Sequence, residues 1–282
     1  MAKYIGTYTN ETAIQTALNN NELNRPFVAL ANDTKQVYYG NILDLAQIGD
    51  IVVYDTARTS LRFIHLADYN TTTYPTATYE PIGVVCENQT ETLASGVSDV
   101  KMLSKNWMDK ANPDTGNANK QYIEWGDKTV QTNATSTTDG KANTTTVLNF
   151  ATGQSDWQTA STITYTNGER MYPLFECAWR YHTSGTNQGD WYIGARDELN
   201  LILSDATTGT TINSGFSAIG ASTYYISGNN GNLGSSTEQT SSNAYGWFNN
   251  NWVANSKSLN NYNNLYGYWM SRALYKGTIL PM

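Results

Sequence analysis

Apolar residues in this chain come in short runs broken by polar turns, and only a few stretches carry a helical period. Gly49-Asp50-Ile51-Val52-Val53-Tyr54 and Leu61-Arg62-Phe63-Ile64 read as paired strands, with Pro81-Ile82-Gly83-Val84-Val85-Cys86 as a further strand. Met171, Phe175, Ala178, Trp179 and His182 fall at i, i+4, i+7, i+8 and i+11, one face of a helix, with Pro173 where a first turn accepts it. A second helix is predicted from Asp197 to Leu203, with acids in its first turn and Leu199, Ile202 and Leu203 on one side. Nearer the start, Thr9 or Asn10 can cap a helix carrying Ala13, Ile14, Ala17 and Leu18, which Asn19-Asn20-Asn21 ends. Pro26-Phe27-Val28-Ala29-Leu30 and Gln36-Val37-Tyr38-Tyr39, flanking Asn32-Asp33-Thr34-Lys35, then predict a β-hairpin. The polar stretch from Asn112 to Asn149 reads as long surface loops. The pattern is that of an α+β protein: a small helix–hairpin segment over residues 1–46, then a larger domain over 47–282. A segment of about 45 residues builds little core alone and is expected to dock on a partner or on the rest of the chain.

Beyond Ala206 the chain changes character. From Ala206 to Ser271 only Glu238 and Lys257 are charged, and Asn229–Asn264 holds 12 Asn in 36 residues. Such tracts are often disordered. Here Trp247, Phe248, Trp252, Val253, Tyr266, Tyr268, Trp269 and Leu274 punctuate it at strand-like intervals, which predicts short strands joined by Asn, Ser and Gly loops.

Composition narrows the function. Of 282 residues 15% are charged, the net charge is −7, and the polar load rests on 32 Asn and 38 Thr beside 20 Tyr and 8 Trp. An acidic chain without a Lys/Arg cluster is ill suited to nucleic acid. The sequence shows no apolar run long enough to insert in a membrane, and no secretory signal is read at its start. Cys86 and Cys177 are expected to be buried thiols, since two cysteines make neither a disulfide framework nor a four-ligand zinc site. Neutral amides and hydroxyls with Tyr and Trp suit an extracellular binding or virion protein better than a metabolic enzyme.

One block carries a family likeness. Gly189-Asp190-Trp191-Tyr192-Ile193-Gly194-Ala195-Arg196-Asp197-Glu198-Leu199-Asn200-Leu201 resembles the G-D-W-Y-L-P-S-x-x-E-L-N block of bacterial and phage proteins with a C-type-lectin-like fold, related to formylglycine-generating enzymes. Cys177-Ala178-Trp179-Arg180-Tyr181 before it, Ser235-Ser236-Thr237-Glu238 and Arg272-Ala273-Leu274 after it, and Gly49–Tyr54 at the start keep the family's order. Gly194-Ala195-Arg196 departs from the usual P-S. The resemblance implies a C-type-lectin-like domain with two main helices and many short antiparallel strands. It extends to variable proteins of diversity-generating retroelements, whose adenine-directed mutagenesis fills a C-terminal tract with Asn codons. The N-terminal segment is similar to leader units on structural proteins of Bacteroides phages. The likeness implies a phage virion protein, a head or tail fibre or decoration, forming a homotrimer and contacting other virion proteins through its first segment. It would sit on the virion surface and bind a glycan or protein of the bacterial envelope. A plain capsid decoration protein and a bacterial surface adhesin are the alternatives, the latter expected to carry a signal peptide or lipid anchor.

The expected receptor-binding residues are Asn243, Tyr245, Trp247, Asn249, Asn250, Asn251, Trp252, Asn255, Ser256, Asn260, Asn261, Tyr262, Asn263, Asn264, Tyr266 and Tyr268. Tyr and Trp give rigid contact area, while Asn and Ser give adaptable hydrogen bonds. Asp190, Trp191, Glu198, Ser236, Glu238 and Arg272 are expected to be scaffold. No catalytic set is expected: His65 and His182 are far apart, the paired Cys of the formylglycine enzymes is missing after Cys177, and Glu169, Glu176, Asp190 and Glu198 read as helix-end charges and as Glu–Arg pairs involving Arg180, Arg196 and Arg272. No metal or cofactor is expected, as one acid in the tract speaks against a calcium-mediated sugar site.

Overall fold

The computed structural model describes residues 3–8, 27–31, 37–40, 45–92, 96–127, 129–152, 172–224, 232–248, 250–257 and 269–282. It is an α+β protein. In the first segment β1 (Lys3–Tyr8), β2 (Phe27–Ala31) and β3 (Val37–Gly40) form a three-stranded sheet. The expected hairpin is β2 against β3, with Val28 opposite Tyr39. Strand β1, parallel to β2, was not expected from the sequence. The helix expected after Thr9 lies outside the described residues.

The larger unit is organised by a seven-stranded sheet. Its hydrogen-bonded order is β10 (Trp191–Tyr192), β15 (Leu274–Gly277), β9 (Val100–Ser104), β6 (Tyr79–Glu87), β4 (Ile51–Asp55), β5 (Ser60–Ile64), β16 (Leu280–Pro281). Between β6 and β9 a two-stranded ribbon intervenes, β7 (Glu91–Thr92) with β8 (Gly96–Val97). Strand β4 shows why the apolar run Ile51-Val52-Val53 does not alternate with polar residues: the sheet is buried on both faces. Val52, Phe63, Ile82, Val85 and Met102 face one core with Trp125, Phe175 and Ala178. Ile51, Val53, Ile64, Val84 and Leu103 face the other, with Leu199, Ile202, Ile212 and Phe216.

Among the described residues four helices supply these covers. Helix α2 (Pro173–Arg180) and α3 (Arg196–Leu203) coincide with the two expected helices. α3 buries Leu199, Ile202 and Leu203 as its period predicts. α2 is buried at every residue but Trp179, so its apolar stripe understated its burial, and His182 falls beyond its end. Two helices correct the sequence reading. Helix α1 (Gly140–Thr152) begins inside the stretch read as surface loop and runs past its end, and Ile123 and Trp125 of that stretch are also buried. Its Thr144-Thr145-Thr146 run has low intrinsic helix propensity, and burial of Asn143, Thr144, Val147 and Ala151 overrides it. Helix α4 (Ala206–Ala218) occupies the start of the nearly uncharged region. Asp205 caps it through the Thr207 and Thr208 N–H groups at 3.0 and 3.2 Å. A glycine is needed at 215, because a Cβ there would lie 2.5 Å from the Gly49 carbonyl oxygen and 2.7 Å from Val84 Cγ1.

A second sheet of four strands runs in the order β13 (Asn251–Ser256), β12 (Asn243–Phe248), β11 (Asn232–Glu238), β14 (Trp269–Met270). The expectation of short strands in the Asn-rich tract therefore holds for its described part. The chain passes from this sheet to the seven-stranded one at Ser271-Arg272-Ala273, all buried.

Candidate functional site

The described part of the Asn-rich tract is the hairpin β12–β13, with Asn243 opposite Ser256, Tyr245 opposite Ala254 and Trp247 opposite Trp252. Asn250 takes φ +61° at the tip, a left-handed conformation that Asn accepts more readily than most residues. Because directly paired residues share a face, Tyr245, Trp247 and Trp252 lie on one side of the hairpin. That side packs on α3. The Arg196 guanidinium sits 5.0 Å from the Tyr245 ring centre, and Trp252 Nε1 donates to Asn200 Oδ1 at 2.9 Å. Trp247 and Trp252 meet edge to face at 5.5 Å between ring centres.

This divides the expected contact residues. Trp247 is only 8% exposed, and Tyr245 and Trp252 are half-buried. Trp247 is thus corrected from receptor contact to core: its ring is enclosed where the hairpin meets α3. Asn250, Asn251 and Ser256 are exposed, and Asn243 and Asn255 half-buried. Asn249, Asn260, Asn261, Tyr262, Asn263, Asn264, Tyr266 and Tyr268 lie outside the described residues. No residue from Asn243 to Ser256 is charged, so the hairpin offers amides, hydroxyls and backbone groups.

The base of the hairpin is fixed from below. Ser235, Ser236, Thr237 and Glu238 of β11 are at most 2% exposed. Ser235 Oγ donates to the Tyr245 carbonyl at 2.6 Å, while its own carbonyl accepts from Trp125 Nε1 at 2.7 Å. Thr237 Oγ1 donates to the Ser136 carbonyl at 2.8 Å and accepts the Arg196 N–H at 3.0 Å. Glu238 accepts the N–H groups of Thr132 at 3.0 Å and Asn133 at 2.7 Å, and pairs with Lys257, both side chains fully buried. Burial pulls the Lys257 ammonium below its ordinary pKa, while Glu238 pushes it back up. Lys257 Nζ also donates to the Val130 carbonyl at 3.0 Å.

Other motif residues hold the frame. Glu198 Oε2 accepts the N–H of Ala195 at 3.0 Å and of Gly140 at 2.8 Å, tying the starts of α3 and α1 together. Asp190 closes a turn by accepting the Asn187 N–H at 2.7 Å. Of the three arginines expected beside Glu residues, Arg180 pairs with Asp114 and Arg196 with Asp197. Arg272 is fully buried and its guanidinium lies between the Trp107 and Phe216 rings, at 4.6 and 4.1 Å. It donates to the carbonyls of Ser104, Lys105 and Ser222, and burial pulls it down to about 9, so it remains a cation at neutral pH. The sequence pointed to carboxylates for these arginines and missed the carbonyl and aromatic partners of Arg272.

Among chemistry-bearing residues, His65 Nδ1 lies 2.8 Å from Asp50, and His182 Nδ1 lies 3.0 Å from the Arg180 carbonyl. Cys86 and Cys177 are free and buried, and burial raises both thiols, which removes the thiolate a nucleophile needs. Among the described residues no group of three or more His, Cys, Asp or Glu could hold a metal ion. No described helix is long and apolar enough to cross a membrane. Glu169 lies outside the described residues. Compared with known proteins, the chain matches no family model, and no curated protein or solved structure is significantly similar to it.

Proposed function

We propose that this chain is a non-enzymatic phage virion surface protein, a head or tail fibre or decoration, whose C-terminal domain has a C-type-lectin-like fold. Its Asn- and Tyr-rich tract binds a glycan or protein of the bacterial envelope. The observation that carries the reading is the uncharged, exposed tip of the β12–β13 hairpin. Its aromatic side rests on α3, while Asn250 and Asn251 at the tip are exposed. Neutral amides and hydroxyls exchange hydrogen bonds with sugars or peptide edges without the cost of stripping water from full charges. A base pinned by buried hydrogen bonds lets the outer residues vary while the fold persists. In a fibre, three copies add weak contacts into firm attachment, and the N-terminal segment contacts the rest of the particle.

Flow cytometry of fluorescent, full-length protein on a panel of intact bacterial strains tests this. Saturable binding to a subset of strains, displaced by excess unlabelled protein, is expected. Failure to bind any strain bearing the panel's envelope types, in monomeric and cross-linked form alike, contradicts it.

A further inference from the structure

Where the first turn of α1 meets the β10–β15–β9 end of the seven-stranded sheet, a depression of about 830 Å³ opens. Lys276 of β15, Lys101 of β9 and Lys141 of α1 line it, with Glu198 and the buried Tyr192 at its base.

The sheet register sets two of these ammonium groups against each other. Lys276 is paired directly with Lys101. Directly paired residues share a face, with Cβ atoms about 4.5–5.5 Å apart, and like charges so placed destabilise a ladder. Lys101 is held: its Nζ lies 2.8 Å from Glu87 Oε2 and 3.4 Å from Glu198 Oε1, and 18% of its side chain is exposed. Lys276 and Lys141 are exposed, and neither has an ion-pair partner among the described residues. Lys141 is the second residue of α1, where a cation opposes the helix dipole. Both lysines thus occupy positions that stability alone disfavours, on two separate elements that open onto one depression.

The carboxylates of the lining are already engaged. Glu198 takes Lys101, the Tyr192 O–H at 3.4 Å and the N–H groups of Ala195 and Gly140 at the starts of α3 and α1. Asp139 Oδ1 accepts the Ala142 N–H at 2.8 Å in the first turn of α1. Lys276 and Lys141 are therefore the charges without a counterpart.

The lining also bears on which anion fits. Among the described residues that form it there is no arginine, whose planar fork matches a carboxylate. Lysine ammoniums are point charges that can approach a tetrahedral phosphate from separate directions. The one aromatic, Tyr192, is 2% exposed, so a nucleotide base finds no ring to stack on. Thr138, Thr145 and Thr146 complete the lining as polar, uncharged neighbours for a polyol.

We infer that this depression binds the phosphate ester of a sugar or polyol, with Lys276 and Lys141 on the phosphate beside the fixed Lys101 ammonium. The site is separate from the hairpin and does not rest on the receptor-binding reading.

Phosphorus NMR and calorimetric titration of the full chain at fixed ionic strength test this. The probes are glycerol phosphate, glucose phosphate and inorganic phosphate, with glucuronate as a carboxylate and a single-stranded oligonucleotide as a base-bearing phosphate. The two esters are expected to bind and inorganic phosphate to compete with them. Lys276→Gln and Lys141→Gln should each weaken binding at least fivefold and together abolish it. Their melting temperatures should equal or exceed that of the parent chain, because each change removes an unfavourable charge. Lys110→Gln, which removes the same charge outside the depression, should leave binding unchanged. No binding of either ester, binding that survives the double variant, an equal loss in Lys110→Gln, or preference for glucuronate or the oligonucleotide overturns the proposal.

Discussion

Replacing Lys257 by Met probes the joint on which the hairpin depends. The Lys257 and Glu238 side chains are both fully buried, and the Lys257 backbone binds the Ser242 carbonyl at 3.0 Å and the Trp125 N–H at 3.1 Å. Breaking one partner of a buried pair typically costs about 3–5 kcal/mol, because the other charge is stranded. Two further observations place each variant within that range. In Lys257→Met, Glu238 still accepts two backbone N–H groups, from Thr132 and Asn133, and Met keeps the packing on Trp125, so the loss is near 3 kcal/mol. In Glu238→Gln the ammonium stays buried without a counter-charge and one side-chain acceptor is exchanged for a donor, so the loss approaches ~5 kcal/mol. For a domain of this size, ~3 kcal/mol lowers the melting temperature by roughly 6–12 °C. The double variant removes both charges while Gln still offers an oxygen to one N–H. Its loss should be smaller than the sum by on the order of 0.5–3 kcal/mol. Urea unfolding followed by tryptophan fluorescence measures all three. A Lys257→Met loss below about 1 kcal/mol, or a cycle additive within ~0.5 kcal/mol, refutes the claim that this pair pins the hairpin.

Other parts of the fold carry their own expected outcomes. Gly215→Ala drives a methyl into the Gly49 carbonyl and Val84, and should cost about 1–3 kcal/mol by denaturant titration, despite alanine's better helix propensity. Asp205 is held below the usual carboxylate range by the Thr208 hydroxyl and the N–H groups of Thr207 and Thr208. A lowered folded-state pKa means a contribution fully present above the ordinary value of 3.8 and lost as pH falls through the folded value. Asp205→Asn keeps a capping oxygen but does not titrate, so its melting temperature should fall less between about pH 5 and pH 2 than that of the parent chain. Light scattering of the full chain should give a trimer near 94 kDa, three chains of 31.2 kDa, and a monomer at high concentration counts against the assembly.

The legible parts of the fold are those whose burial coincides with a period. The β4–β5 pair and α3 are predicted from Ile51–Val53, Phe63 and the spacing of Leu199, Ile202 and Leu203, because those residues bury where their pattern says. Helix α1 is hidden because its buried set contains Gly140, Asn143 and Thr144, polar or small residues that a hydrophobicity pattern cannot detect. Asn143 is buried because its amide binds the Ser136 carbonyl at 2.7 Å, a contact set by the tertiary fold. α4 is hidden likewise by Thr, Gly and Ser, its one clear signal being Asp205 as a cap ahead of Ile212 and Phe216. In the tract, amide-rich composition marks the surface, but it does not say which side of the hairpin its aromatics take. That depends on Arg196 and Asn200 of α3, residues distant in sequence with no signal of their own.

The most direct measurement sets stability against host range for the asparagines of the tract and for one of its buried aromatics. Asn251, Asn260, Asn261, Asn263 and Asn264 are changed together to Ser or Asp, and in a second protein Trp247 is changed to Ala. Both are compared with the parent chain by thermal melting and by binding to the same panel of intact bacterial strains. The account predicts that the Asn set leaves the melting temperature nearly unchanged, each change costing within about 0.5 kcal/mol, while the strains bound change. Trp247→Ala should cost on the order of 3–5 kcal/mol at the α3 contact. Unfolding by the Asn set, or an unchanged pattern of strains bound by it, contradicts the claim that this tract is the receptor-binding face.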